Sequence, residues 1–193
     1  MTIREIRDRP VIVLGRQTDL AETVVSSLGS HGSPVVRIPP QQPDTAADSI
    51  IVMIDQAAVH SMFAGARRGA SRGRMRAYEN TAADSAVTTA LKVRAKRLLV
   101  VCDTSRLSFG HRLRAISWVR NLLRRIAYAC AINGLPDLAT RYTLVDTADD
   151  ARRTTDAILL WHRKNESPGP RPPTAVGCVR PGVLSSVSAR LRG

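Results

Sequence analysis

The chain predicts an α/β fold with a doubly wound, mostly parallel sheet and helices on both faces. Three observations carry that prediction. Short apolar runs recur at Val11-Ile12-Val13-Leu14, Val35-Val36-Arg37-Ile38, Ser49-Ile50-Ile51-Val52-Met53-Ile54-Asp55, Leu98-Leu99-Val100-Val101-Cys102 and Tyr142-Thr143-Leu144-Val145-Asp146. Segments with helical spacing or composition alternate with them, as parallel strands joined by crossover helices require. The first run ends at Gly15, where a tight strand-to-helix turn is expected.

The elements follow in order. Residues 11–14 form a buried strand, and residues 19–29 form a helix ending at Gly29, before the turn Gly32-Ser33-Pro34. The second strand is closed by Pro39 and Pro40, completing one βαβ unit. Residues 39–48 read as a loop, and a short helix covers 56–66. Residues 65–76 hold three glycines and the arginines Arg67, Arg68, Arg72, Arg74 and Arg76 without an acid, which predicts a mobile basic loop. Helical periodicity then runs over 79–95, with Ala82, Ala86, Val87, Ala90, Leu91 and Val93 falling mostly on one face. A long amphipathic helix over 112–132 stops at Asn133-Gly134. A last helix runs from Asp149 to Trp161, with Asp149 and Asp150 as N-terminal charges. Residues 1–164 therefore form one domain, and 165–193, rich in proline and glycine and nearly free of acid, form a flexible basic tail.

Composition bounds the function. Of 193 residues, 44% are hydrophobic, enough for a core, and with only 4% aromatic that core is aliphatic. No apolar run reaches the roughly 18 residues that span a bilayer. The charged N-terminus lacks the apolar stretch of a secretory signal, so a cytoplasmic location is expected. Cys102, Cys130 and Cys178 have no disulfide or zinc spacing, and the first two read as small buried residues. His31, His60, His111 and His162 likewise have no metal spacing. The net charge is +13, and lysine occurs only at Lys92, Lys96 and Lys164, so the rest of the 29 basic residues are arginine. Such a balance favours anionic partners: acidic protein surfaces, nucleotide phosphates or nucleic acid.

Four segments resemble the short-chain dehydrogenase/reductase superfamily, in its extended, atypical, epimerase-like branch, over about residues 10–160. Leu14-Gly15-Arg16-Gln17-Thr18-Asp19-Leu20-Ala21 stands where that family has its glycine-rich phosphate turn. Residues 80–90, opening with Asn80 and running through Thr and Ala, are similar to a family helix that leads to the central strand. Lys96 to Ser105 matches the strand that there ends in serines, and Tyr142 to Asp146 the strand before the family's Arg-Pro-Gly. The resemblance implies a Rossmann-like fold that takes NAD or NADP. It puts the cofactor-binding candidates at Gly15, Arg16, Thr18, Arg37, Asp55 and Ser105, and it brings the possibility of a homodimer through the long helix.

The departures bear on activity. Thr18 and Ala21 replace the second and third glycines; the Thr18 Cβ takes space that a phosphate needs, and Asp19 either repels that phosphate or caps the helix. The family's acid/base pair is a tyrosine followed four positions later by a lysine, yet residues 97–163 contain no lysine, and Tyr128 has Ile132 in that place. No catalytic residue is therefore assigned. The expectation is a degenerate, non-catalytic dehydrogenase-like scaffold for an acidic protein partner, with residual NAD(P) or nucleotide binding. The arginines at 67, 68, 72, 74 and 76 would be its contact elements. A nucleic-acid-associated protein using the same arginines is the alternative, and an active reductase with relocated groups is a further one. A receiver-like fold, with strands ending in Asp55 and Asp103, would need paired acids after the first strand, and Gly15-Arg16-Gln17 has none.

Overall fold

The computed structural model describes residues 10–37, 47–64 and 68–163. Five strands form a single parallel sheet: β1 (Val11–Leu14), β2 (Val35–Arg37), β3 (Ser49–Ile54), β4 (Arg97–Asp103) and β5 (Ala139–Val145). Their order across the sheet is β2-β1-β3-β4-β5. Val11 pairs with Val35 on one side and Ser49 on the other, and the register continues through Ile54 against Cys102 to Asp103 against Val145. This is the doubly wound arrangement, and its direction of winding reverses between β1 and β3, where such folds open a crevice at the strands' carboxyl ends.

β3 and most of β4 are buried on both faces, which is why their sequences are continuous apolar runs rather than alternating ones. Alternate residues feed two separate cores. Ile12, Leu14, Ile50, Val52, Ile54, Leu98, Val100 and Cys102 face α2 (Gln56–Phe63), α3 (Arg68–Val93) and α4 (Phe109–Ile132). Val11, Val13, Ile51, Met53, Leu99 and Val101 face α1 (Asp19–Ser30) and α5 (Ala148–Arg163). Small side chains let α3 approach closely: its buried positions Ala83, Ala86, Thr89 and Ala90 carry little bulk. Trp118 of α4 fills the remaining space, stacked edge-on to Phe63 and tilted against Tyr78, with its indole N–H donating to Glu79 at 3.2 Å.

The main correction to the sequence reading lies at residues 65–76. From Arg68 onward they are the first turns of α3 rather than a mobile loop; Arg67 lies outside the described residues. Arginine and alanine are good helix formers, and each glycine costs only about 1 kcal/mol in a helix. Met75 and Tyr78 pack against the core and anchor these turns. Helix ends also move, with α2 stopping at Phe63 and α3 at Val93. α1 continues through Gly29, and the turn is closed by the Ser33 and Gly32 amides donating to the Leu28 and Gly29 carbonyls. α4 starts at Phe109, with Ser108 at its cap position. Asn133-Gly134 does end α4, with Gly134 at φ +91° and the Leu135 amide donating to Cys130. Cys102 and Cys130 are buried thiols, as expected. The strand end at Ile38, most of the 39–48 loop and the 165–193 tail lie outside the described residues.

Candidate functional site

A cleft of about 960 Å³ opens at the carboxyl ends of β1 and β3. Its floor is Leu14, Val52 and Met53, and its walls are the turn Gly15-Arg16-Gln17, helix α2 and one face of α3. That face is a row at helical spacing: Arg74, Tyr78, Thr81 and Ser85. Arg16, Arg37 and Arg74 bring three positive charges, and no carboxylate is found among the described lining residues.

Gly15 forms the corner of this cleft. It stands at φ +126°, and a Cβ there would sit 2.4 Å from the Met53 carbonyl oxygen of the neighbouring strand. The turn therefore demands glycine for its own backbone, before any ligand is considered. Thr18 caps α1: its Oγ1 accepts from the Ala21 amide at 3.2 Å. Asp19 is the first helical residue and not the cap. Thr18 thus occupies one of the amides that a helix N-terminus offers to a phosphate, while Asp19 and Glu22 place carboxylates in the same turn.

Arg37, at the end of β2, donates from Nη1 to Glu22 at 2.6 Å. Hydrogen bonds from Arg37, and then from Gln17, hold the Glu22 carboxyl below its ordinary range. The other guanidinium nitrogen of Arg37, Nη2, is buried and has no partner among the described residues. Asp55 caps α2, accepting from the Ala58 amide at 2.8 Å. Asp55 is buried, and its second oxygen, Oδ2, also lacks a described partner. It stands behind the cleft wall, close enough for its charge to act on Tyr78. Burial first, then the charges at Asp55 and Cys102, push the Tyr78 phenol up to about 12, while Arg16 pulls it down. Tyr78 has Ala82 four positions on and no ammonium to lower its pKa, so at neutral pH it is a hydrogen-bond donor and not a base.

Ser105 stands apart from this cleft. It donates to Asp103 and accepts from Gln56 Nε2, each at 2.6 Å, and its amide donates to Asp103 at 3.0 Å. Those bonds lock the β4–α4 turn. Beside it, the buried Thr104 hydroxyl donates to Asp146 at 2.6 Å. Arg112 Nε approaches the same carboxylate at 3.3 Å, near enough for attraction but off line for a hydrogen bond. Asp149 and Asp150 lie in the first turn of α5, as their sequence position implies, and the Asp150 amide donates to Thr147.

Of the sequence candidates, the structure brings Gly15, Arg16 and Arg37 together at the cleft, while Thr18, Asp55 and Ser105 are committed to caps and turns. The arginine group divides. Arg74 lines the cleft, whereas the exposed Arg72 and Arg76 fall on the opposite side of α3; the side chain of Arg68 is not described. Tyr78, Thr81 and Ser85 went unrecognised as site residues, and Arg74 was expected on a mobile loop rather than in the cleft. Their spacing was legible only with residues 68–78 taken as helix. No cluster of histidine, cysteine and acids fit to hold a metal occurs among the described residues, and no described helix is long and apolar enough to cross a membrane. No protein-family model matches the chain, and no curated protein matches it in sequence.

Proposed function

We propose that this protein is a non-catalytic, Rossmann-like scaffold that holds a phosphate-bearing ligand of mononucleotide size in the β1/β3 cleft and acts through a protein partner. The observation that carries the reading is the cleft's charge. Arg16, Arg37 and Arg74 all line a cleft with an apolar floor; Arg37 Nη1 is paired with Glu22, but its Nη2 is a buried donor without a described partner. An anion would satisfy that donor, and the apolar floor suits a flat organic body such as a base. The capped N-terminus of α1 argues against a dinucleotide held in the usual way. The raised pKa of Tyr78 and the lack of lysine in 97–163 argue against a reductase's proton relay.

The test is a thermal-shift and calorimetric comparison of AMP, NADPH and inorganic phosphate on the full chain. AMP stabilises the protein and NADPH does no better. Arg74→Gln weakens AMP about tenfold, as expected for one charge-assisted hydrogen bond of ~1.5 kcal/mol. Absence of any shift up to millimolar AMP, or equal binding by Arg74→Gln, sinks the reading.

A further inference from the structure

The outward face of α4 has no structural task that the fold explains. Leu113, Tyr128 and Ile132 are 51%, 69% and 65% exposed, an unusual concentration of large apolar surface on one helix. No acid occurs anywhere in α4, and Arg124 is exposed between Leu113 and Tyr128. The neighbouring helix adds to the same side. Arg72 and Arg76 are exposed on the α3 row that continues to Asn80, and Asn80 accepts from Arg125 of α4 at 2.6 Å. Of the nearby carboxylates, Glu79 accepts from the Trp118 indole, and Asp84 stands 3.8 Å from Arg125.

We infer that this face docks an acidic, amphipathic helix of a partner protein, with Leu113 and Tyr128 as its apolar anchors and Arg124, Arg72 and Arg76 as its charged rim. The inference deepens the scaffold reading and rests on it. Charge selects the occupant. A second copy would set basic rim against basic rim in a chain of net charge +13, and like charges across an interface are repelled. A polynucleotide would answer the arginines but leave the large aliphatic and aromatic groups facing a polar, wet interface. An acidic amphipathic helix answers both. Fifteen residues separate the anchors, about 22 Å along the helix axis, so roughly four turns of a partner helix laid along α4 would reach both.

The probe is a synthetic 20-residue helix with leucines on one face and glutamates on the other; its control carries lysines in place of the glutamates. Fluorescence titration gives affinity and amide exchange gives location, both on the full chain. The acidic helix binds, protects α4, and weakens about tenfold with Leu113→Asp or Tyr128→Asp. Both positions are more than half exposed, so these variants keep the parent's unfolding midpoint. AMP binding in the cleft stays unchanged in them, which separates failure of this inference from failure of the ligand reading. The inference is overturned if the lysine helix binds as well, or if the anchor variants bind equally. Sedimentation showing a homodimer that Tyr128→Asp dissociates, or a single-stranded oligonucleotide protecting α4 better than the helix, also overturns it.

Discussion

At the residue scale, Gly15 shows how one residue can be required for two unrelated reasons. In a phosphate-binding turn glycine lets a ligand approach; here the Met53 carbonyl oxygen already occupies the space a Cβ would take. Gly15→Ala should therefore cost stability, about 2–4 kcal/mol from left-handed backbone strain and the displacement of β3. Urea unfolding measures it, and an unchanged midpoint would refute the steric argument. Tyr78 offers a second check. Its folded pKa is raised from 10.0 to about 12. The stability tied to its protonated form is complete below pH 10 and drains as the unfolded phenol ionises between pH 10 and 12. Ultraviolet titration should show a late tyrosinate that is absent in Tyr78→Phe. A late ionisation left unchanged by Tyr78→Phe would contradict the environment described for it.

At the element scale, α3 is where local preference and tertiary packing disagree most. Its first turns contain glycine and a row of like charges, which argue for a loop, yet Met75 and Tyr78 reach the core and hold the helix. Its other end carries a strained position. Arg94 has φ +52°, the only positive value at a non-glycine residue among those described, while the Ala95 amide donates to Ala90 and the Arg94 amide to Leu91. That is the helix-ending geometry in which glycine is usual. Arg94→Gly should stabilise the protein by about 1 kcal/mol, the left-handed penalty less glycine's added chain entropy. A lower melting midpoint would mean that the arginine side chain contributes more than its backbone costs.

At the scale of the molecule, the sheet order decides where chemistry can occur. With β1 and β3 adjacent and their connections leaving in opposite directions, the crevice forms above Leu14 and Val52. The arginines that look like one group in sequence are divided by α3 into a cleft side, with Arg74, and an outer side, with Arg72 and Arg76. One charged segment therefore borders two surfaces. The first is the concave cleft at the strand ends. The second is the outer side of α3, which is tied to α4 by the Arg125–Asn80 hydrogen bond.

The strands, their parallel pairing and the two-sided core were legible in the amino-acid sequence, because a strand buried on both faces has to be apolar throughout. The α4 stop at Asn133-Gly134 was legible for a similar local reason, since few residues adopt that backbone. The place of Gly15, Arg16 and Arg37 at the cleft was legible too, because strand ends face the crevice. What remained hidden depended on contacts distant in the chain. Only the approach of β3 explains why residue 15 is glycine. Only packing against the α2–α4 core turns residues 68–78 into helix and brings Arg74 and Tyr78 into the cleft. Thr18, Asp55 and Ser105 carry polar groups suited to a ligand, but the Ala21 and Ala58 amides and Asp103 claim them first. Sequence determined the scaffold through the periodicity of burial; tertiary structure decided the site, because a polar group spent on a cap or turn cannot also serve a ligand.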